Sequence, residues 1–297
     1  MTNLVIPSLR GRLNQHETLA KLTWFRVGGD AEFFVRPADI EDLAEFLKNL
    51  PLEVPVMVMG AASNLIIRDG GINGVVIKLA RGFGEVVVEA DGLIVGAAAL
   101  DSTVAEHAAA SGLSGLEFLS GIPGTIGGAV AMNAGAYGSD MQAVLDWAEI
   151  LTRDGQLHRL SVQELGLSYR HSNLPADAVV VRARLRARAG EAALIAARMG
   201  EIKTRREATQ PVRARTGGST FANPEGRKAW ELIDQAGCRG LRRGNAQVSD
   251  LHCNFLLNLG DASAADLEGL GEEVRRRVAL QSGVTLQWEI KRVGVPA

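Results

Sequence analysis

The sequence has few cysteines and no excess of either charge. Cys238 and Cys253 are the only cysteines among its 297 residues, and they do not have the spacing of paired metal ligands. Neither a disulfide framework nor a metal site is therefore predicted, and both side chains are expected to be small buried residues. The formal net charge of −2 disfavours general binding to nucleic acid, while leaving room for a local basic patch.

No segment has the pattern of a membrane span or a targeting signal. Residues 118–139 carry no charge and are long enough to cross a bilayer, but they include Pro123, Asn133 and six glycines. A transmembrane helix is therefore not predicted there, and neither terminus resembles a signal peptide. With 46% hydrophobic and 22% charged residues, the chain is expected to be a globular cytoplasmic protein without a membrane partner.

Several common motifs of nucleotide and hydrolytic enzymes are missing. The chain has no strict GxGxxG after a strand, no GxxxxGK[ST] and no GxSxG. A dinucleotide-binding Rossmann domain, a P-loop and a serine hydrolase of the nucleophile-elbow type are therefore not indicated.

Hydrophobic patterns indicate helices mixed with strands. Apolar residues in 38–50 recur at the spacing of one helical face, between two prolines, which predicts a helix. Helices are also predicted over 227–237 and 263–283, each ended by a glycine, with Ser263 as the N-cap of the last. A further helix, which becomes basic towards its end, is predicted from residue 191 onward.

Strands account for much of the remaining chain. Residues 149–160 predict a hairpin with a two-residue turn at Asp154-Gly155, and GAASNLIIRDGGIN is predicted to be a loop. The other predicted strands are VPVMVMG, GVVIKL, EVVVEA, LIVGAAA, VVVRARLRARAG and the final VTLQWEIKRV. In VVVRARLRARAG the alternation places Arg182, Arg184, Arg186 and Arg188 on one face. A solvated strand face is the favoured interpretation, and a polyanion site is the alternative.

Two loops rich in glycine and small residues are candidates for anion binding. They are GAASN, Gly60 to Asn64, and GIPGTIGG, Gly121 to Gly128. Successive backbone N–H groups in such loops can point at one anion, and the second loop has no lysine or arginine to neutralise charge in another way. A pyrophosphate is the natural ligand, although glycine-rich turns in a tightly packed sheet domain would give the same pattern.

Two polar segments and the last strand complete the candidates. Tyr169 and Arg170 lie in SYRHSNLP, whereas Ser219 and Asn223 lie in GGSTFANP. In the last strand Glu289 shares its parity with polar residues, so periodicity alone predicts a solvent-facing side chain.

The combined motifs resemble one enzyme family along nearly the whole chain. TWFRVGGDAEFFVRP, GAASNLIIRDGGINGVVIKL, GLEFLSGIPGTIGGAVAMNAGAYG, LSYRHSNLP, TQPVRARTGGSTFANP, AWELIDQAGCRGLRRGNAQVSDLHCNF and LQWEIKRVG follow the order seen in UDP-N-acetylenolpyruvoylglucosamine reductases of the shorter architecture. The resemblance implies a cytoplasmic bacterial enzyme that makes UDP-N-acetylmuramate for peptidoglycan. A monomer is expected.

The fold implied by the resemblance is α+β. It consists of an FAD-binding fold of the vanillyl-alcohol-oxidase type in two subdomains, residues 1–80 and 81–204, and a C-terminal substrate-binding α/β domain, residues 205–297. The last strand is expected to return to the first subdomain. The boundary near residue 205 also coincides with a change of composition from a basic helix to the Gly/Ser-rich RTGGSTFANP.

The resemblance also implies the ligands and their residues. FAD is expected to bind non-covalently, NADPH to be the reductant and UDP-N-acetylglucosamine enolpyruvate the substrate, with no metal. The residues matched to FAD contacts are Gly60, Ala61, Ala62, Ser63, Asn64, Leu65, Gly121, Pro123, Gly124, Thr125, Gly127, Gly128, Ala129 and Tyr169.

The catalytic residues implied by the family motifs are Arg170, Ser219 and Glu289, and Asn223 is matched to a substrate contact. The chain departs from the family at Ala222, where a lysine is frequent, so a phosphate or carboxylate contact is either lost or supplied by Arg213 or Arg215; the alternative for these arginines is that they are solvated loop charges. The implied reaction passes a hydride from NADPH through FAD to the enolpyruvyl group, with Ser219 as proton donor and Arg170 and Glu289 beside the substrate carboxylate. Another flavin oxidoreductase of this fold, or a non-catalytic FAD- or UDP-sugar-binding protein, is the alternative.

Overall fold

The structure, a computed structural model, describes residues 6–297. It divides into two compact units, which we call unit 1 and unit 2. Unit 1 consists of the chain up to Gln15, Phe33–Ala61 and Gly74–Thr204, and unit 2 consists of His16–Glu32, Ala62–Asn73 and Arg205–Ala297.

The chain alternates between strands and helices throughout. The strands are β1 Arg12–Thr18, β2 Asp30–Arg36, β3 Val56–Val58, β4 Leu65–Ile67, β5 Ile72–Ile77, β6 Val86–Glu89, β7 Gly92–Gly96, β8 Leu113–Ser114, β9 Gly135–Ala136, β10 Ser139–Asp140, β11 Leu145–Leu151, β12 Leu157–Ser161, β13 Val179–Arg186, β14 Arg188–Ala189, β15 Arg215–Thr216, β16 Arg242–Arg243, β17 Ala246–Val248, β18 Leu256–Asn258 and β19 Lys291–Val293. The helices are α1 Ile40–Asn49, α2 Asp101–Ala110, α3 Ile126–Ala131, α4 Met141–Val144, α5 Val162–Leu165, α6 Ala192–Thr209, α7 Ala229–Gln235 and α8 Ala264–Ser282.

Unit 1 is built around a five-stranded antiparallel sheet in the order β12-β11-β13-β7-β6. Apolar residues of this sheet pack with α2 and α3 in one core that includes Leu93, Val104, Ile126 and Leu185. A second sheet has the order β1-β2-β5-β3, and the division between the units falls within β1, β2 and β5. The large sheet thus supports the segment that leads from β7 through α2 to α3.

Unit 2 is built around a four-stranded antiparallel sheet in the order β15-β18-β17-β16. Helices α7 and α8 cover it, and the core includes Phe25, Leu232, Leu256 and Leu267. The last strand, β19, pairs in parallel with β4. Strand pairing therefore fixes β15, which precedes Ser219, and β19, which follows Glu289.

Several sequence predictions are confirmed. Helix α1 begins after Asp39, whose side chain accepts the N–H of Asp42, and it buries its apolar face. Helix α8 has the predicted N-cap Ser263 and ends at Gly283 in the left-handed conformation. Cys238 and Cys253 are free and buried.

Two β predictions are wrong in detail. Leu151 pairs with Leu157, so residues 152–156 form a longer loop in place of the two-residue turn, and the Thr152 hydroxyl and N–H both donate to Gln156 O. The predicted loop GAASNLIIRDGGIN contains strand β4, because this segment finds a partner in β19. Sequence patterns cannot show a partner that lies so far away in the chain.

The predicted final strand is also interrupted. Only Lys291–Val293 form a strand, whereas Trp288 makes an isolated bridge with Phe221. The segment changes partner between these points, so its regular alternation does not correspond to one continuous ladder.

The arginine-bearing face of β13 is used for ion pairs. Arg184 contacts Glu89, Asp91 and Asp146, and Arg182 contacts Glu149. Neighbouring carboxylates therefore occupy these two guanidinium groups, so they are not available to a polyanion. Arg186 and Arg188 are exposed.

Residues 6–297 contain neither a membrane-spanning helix nor a cluster of metal ligands. None of the helices there has the length and apolar character needed to cross a membrane. Side chains of histidine, cysteine, aspartate and glutamate in the same part of the chain form no group of three that could hold a metal ion.

Candidate active site

The two glycine-rich loops meet in unit 1. A Cβ atom built on Gly60 would lie 2.5 Å from Thr125 Oγ1, so the first loop can approach the second this closely only because residue 60 has no side chain. Thr125 is buried and directly precedes helix α3. The structure thus brings GAASN and GIPGTIGG together, as a shared ligand requires.

Hydrogen bonds within unit 1 already occupy part of the second loop. The N–H of Ile126 donates to Ala99 O at 3.0 Å, and the N–H of Gly127 donates to Ala97 O at 2.9 Å. These two amides are therefore not donors for a bound anion. A Cβ atom on Gly127 would lie 3.0 Å from Ala97 Cβ. A glycine at this position therefore allows close packing against Ala97, the residue that follows β7.

A lysine that the sequence analysis missed lies behind the first loop. Lys78 Nζ donates a hydrogen bond of 2.6 Å to Gly60 O. Burial lowers the pKa of Lys78, and the positive charge of Arg36 lowers it further. A nearby anion would favour the charged form of this lysine. The only sequence signal was a lysine at the end of a buried strand.

A buried carboxyl group lies against the second loop and was also missed. Asp101, the first residue of α2, is fully buried, and neither of its carboxyl oxygens has a hydrogen-bond partner in the described part of the chain. Its N–H donates to Gly124 O at 3.2 Å, and a Cβ atom on Gly124 would lie 2.5 Å from Asp101 Oδ2. Burial raises the pKa of Asp101 to about 8. An aspartate in the first turn of a helix is so common that its sequence position alone suggests only a favourable interaction with the helix dipole.

These features of unit 1 fit the pyrophosphate of FAD. Glycine permits close backbone approach at Gly60, the hydroxyl of Thr125 is beside it, and Lys78 supplies a cation behind the same loop. A neutral Asp101 adds no repulsion towards an anion. The arrangement combines oriented polar groups with one cation, which is the chemistry that a diphosphate needs.

Hydrogen bonds hold the turn that carries Arg170 at the end of helix α3 in unit 1. Ser172 Oγ donates to Ala131 O at 2.8 Å, and Asn133 Nδ2 donates to Ser168 O at 3.0 Å. Arg170 has a positive φ of 57°, and its Nη2 donates to Gly135 O at 3.0 Å. The structure thus brings the SYRHSNLP turn next to the end of α3.

The other matched residues of unit 1 differ in exposure. Tyr169 is 58% exposed, with its ring 5.0 Å from the Arg170 guanidinium carbon. A Cβ atom on Gly121 would lie 2.3 Å from the Tyr137 ring, so this glycine serves packing. Ala129 is buried and Gly128 is exposed, whereas Gly60, Ala61, Pro123 and Gly124 are half-buried.

The segments that carry Ser219 and Glu289 lie side by side in unit 2. The N–H of Glu289 donates to Thr220 O at 2.9 Å, and the N–H of Ala222 donates to Gln287 O at 2.9 Å. These bonds place the GGST segment alongside the last part of the chain. Ser219 and Glu289 are both half-buried, so Glu289 is less exposed than its strand parity suggested.

The end of the GAASN loop is hydrogen-bonded to both of these segments in unit 2. Asn64 Nδ2 donates to Glu289 O at 3.0 Å, and Ser63 O accepts the N–H of Gly218 at 3.1 Å. Ala62 has a positive φ of 53°, which is unusual for a residue with a side chain, and Leu65 begins β4. The loop therefore contributes residues to both units, since the division falls between Ala61 and Ala62.

Asn223 has a different local role. Its Oδ1 accepts the N–H of Ala229 at 3.0 Å, at the first residue of α7. The residue is exposed. Arg213 and Arg215, expected to compensate for Ala222, are exposed as well.

Two family models match the chain. Residues 31–161 match the FAD binding domain, and residues 210–293 match the C-terminal domain of UDP-N-acetylenolpyruvoylglucosamine reductase. Together they cover parts of both units.

Curated and structural comparisons agree with these models. A UDP-N-acetylenolpyruvoylglucosamine reductase of Acidiphilium cryptum is 66% identical, covering 98% of this chain and 94% of the relative. The crystal structure of the reductase from Thermus caldophilus superposes with a TM-score of 0.82 at 36% identity, covering 96% of this chain and 99% of that chain.

A more distant structure bears on the fold alone. 6-Hydroxy-D-nicotine oxidase from Arthrobacter nicotinovorans matches with a TM-score of 0.50 at 17% identity, covering 63% of this chain and 44% of that chain. The predicted FAD-binding fold with a C-terminal domain of the reductase type is confirmed by these findings. The chain belongs to the UDP-N-acetylenolpyruvoylglucosamine reductase family.

Proposed function

We propose that this chain reduces UDP-N-acetylglucosamine enolpyruvate to UDP-N-acetylmuramate, with NADPH as reductant, in the synthesis of peptidoglycan precursors. The observation that carries this proposal is the 66% identity to a reductase of this name over 98% of the chain. In the overall reaction a hydride adds to the terminal carbon of the enolpyruvyl double bond. A proton adds to the carbon that bears the carboxylate, and NADPH becomes NADP⁺.

FAD is the cofactor of this reaction, and when bound it supplies the chemistry that passes a hydride from NADPH to the substrate. The residues that would hold its pyrophosphate are Gly60, Thr125 and Lys78 in unit 1. This role is supported by the close approach of the two loops and by the half-buried Lys78 behind them.

Ser219 is proposed to supply the proton. Its Oγ–H would deliver the proton to the carbon beside the carboxylate as negative charge develops there. Serine is a weak acid, so the hydroxyl must be held in place at that carbon. The pairing of Thr220 with Glu289 fixes the backbone next to Ser219 and supports this role.

Arg170 and Glu289 are proposed to act on the substrate carboxylate. A planar guanidinium group suits a carboxylate, and the bond from Arg170 Nη2 to Gly135 O holds this side chain in place. Glu289, in its protonated form, would donate a hydrogen bond to the substrate carboxylate and stabilise the enol form of this group as negative charge develops on it. Asn223 is proposed to help hold the substrate.

Further parts of the proposal concern location, assembly and domain roles. A cytoplasmic location is supported by the use of NADPH and a nucleotide sugar, and the near-neutral charge supports the absence of a nucleic-acid partner.

We also propose a monomer, in which residues 1–80 and 81–204 bind FAD and residues 205–297 bind the substrate. Size-exclusion chromatography with light scattering would test the monomer.

Absorbance spectroscopy of the purified protein tests the function. We expect a yellow protein that releases FAD on denaturation, loses its flavin absorbance when NADPH is added without oxygen, and regains it when UDP-N-acetylglucosamine enolpyruvate follows. Recovery with oxygen but not with this substrate would indicate an oxidase of the same fold. A colourless protein that cannot be loaded with FAD would contradict the proposal.

A further inference from the structure

A pocket in unit 2 lies next to the end of the GAASN loop, where the Trp24 N–H donates to Ala62 O at 3.4 Å, and its lining includes Arg213 and Arg215, the arginines expected to compensate for Ala222. It has a volume of about 630 Å³, and two segments line it, the loop from Lys21 to Arg26 and residues 213–215. The lining includes four basic side chains, one tryptophan and no carboxylate. The basic side chains are Lys21, Arg26, Arg213 and Arg215.

These four cations have no counter-charge of their own. Among residues 6–297, none of them forms an ion pair with a carboxylate, whereas other arginines of unit 2 do so, including Arg68, Arg239 and Arg275. Like charges gathered around one pocket repel each other and attract an anion. All four side chains are exposed, so solvent ions screen them in the free protein, and an anionic ligand would be attracted by their combined charge.

The first wall of the pocket is a well-defined loop. Thr23 is 1% exposed, its hydroxyl donates to Val27 O at 2.9 Å, and it accepts the N–H of Val27 at 3.2 Å. Arg26 has a positive φ of 60°, and its Nη1 donates to Lys21 O. A non-glycine residue in this conformation costs free energy and is found preferentially at functional sites.

The second wall is held by strand β15. Arg215 pairs with Asn258 of β18, and the buried Thr216 hydroxyl donates to Leu256 O at 2.6 Å. The backbone below Arg215 is therefore fixed, while its side chain is exposed. Trp24, in the first wall, is half-buried and offers a flat apolar surface.

We propose that this pocket binds a phosphate group of a nucleotide, with the base or ribose against Trp24. Guanidinium groups match phosphate oxygens in geometry and charge, and a tryptophan face stacks with nucleobases. This inference rests on the proposed function, which provides two nucleotides of this chemistry. They are the 2′-phosphorylated adenosine of NADPH and the uridine diphosphate of the substrate.

Isothermal titration of the FAD-loaded protein with two probes tests the inference. Adenosine 2′,5′-bisphosphate represents NADPH, and UDP represents the substrate. We expect Arg213→Gln and Arg215→Gln each to weaken one probe by about tenfold, the effect of losing one charge-assisted hydrogen bond. High salt should lower the affinity of the wild-type protein for the probe more than it lowers the affinity of either variant. Arg242→Gln, an exposed arginine of β16, is the matched control and should bind both probes normally.

The results distinguish NADPH from the substrate as the ligand of the pocket. They also distinguish a failure of the pocket assignment from a failure of the proposed function. Weaker binding of the bisphosphate alone assigns the pocket to NADPH, and weaker binding of UDP alone assigns it to the substrate. Unchanged binding of both probes, or loss of FAD from the Arg213 and Arg215 variants but not from the control, would overturn the inference. Wild-type turnover of NADPH and substrate, measured alongside, shows whether the proposed function stands when the pocket assignment fails.

Discussion

Replacing Asp101 by asparagine should make the protein more stable, and increasingly so as the pH rises. Asp101 is fully buried without a hydrogen-bond partner in residues 6–297, and burial raises its pKa from 3.8 to about 8. Between these values the folded protein holds a proton that the unfolded chain has lost. Rising pH therefore favours the unfolded chain throughout this range.

The magnitude follows from the two pKa values. The contribution of Asp101 is unchanged below about pH 4, falls by about 1.4 kcal/mol per pH unit as the pH rises, and levels off above about pH 8. At pH 7 the carboxyl group should thus reduce the free energy of unfolding by roughly 4 kcal/mol, as an upper bound. An asparagine side chain cannot ionise, so Asp101→Asn removes this pH-dependent loss.

Urea unfolding at several pH values between 5 and 8, followed by circular dichroism with excess FAD, measures the effect. The difference in unfolding free energy between Asp101→Asn and wild type should grow steadily with pH. Glu106→Gln, at an exposed position of the same helix α2, should show no such trend. A difference that stays constant over this pH range would contradict this prediction, because it would mean that Asp101 does not change its protonation on unfolding.

Three further predictions concern the cofactor and the reaction. Ser219→Ala should keep FAD and lose flavin absorbance with NADPH at the normal rate, while recovery with substrate slows by roughly 10²-fold or more; equal slowing of both steps in stopped-flow absorbance would contradict its role as proton donor. Arg170→Ala should slow the same recovery by about 10²- to 10³-fold, and a loss of thermal stability with normal turnover would leave it a structural residue. Gly60→Ala should lower FAD content because its Cβ would lie 2.5 Å from Thr125 Oγ1, whereas Gly200→Ala on α6, with open space around it, should retain FAD; equal flavin content in both would remove the steric argument.

Local patterns in the sequence predicted the elements whose causes are local. Helix α8 carries its N-cap at Ser263 and its terminating glycine at Gly283, so both ends could be identified without knowledge of the fold. Helix α1 was predicted from its apolar face between two prolines, and the structure adds a cap at Asp39 within the same short segment. In these helices, capping and amphipathicity act within a few residues.

Features that depend on distant partners could not be predicted in this way. Strand β4 exists because β19 pairs with it, and the position of Glu289 depends on Thr220 and Asn64. Lys78 and Asp101 were missed because nothing in their neighbouring residues indicates the loop against which each side chain packs. The candidate residues came from ordered family motifs, and periodicity alone would have passed over Glu289.

We propose that this chain uses NADPH to reduce UDP-N-acetylglucosamine enolpyruvate. The most direct measurement is mass spectrometry of the nucleotide sugar after incubation with the purified protein, FAD and NADPH, together with the absorbance of NADPH. We expect a product that has gained two hydrogen atoms, formed in a one-to-one ratio with the NADPH consumed. Consumption of NADPH without this product, or an unchanged nucleotide sugar in the presence of FAD-loaded protein, would contradict the account.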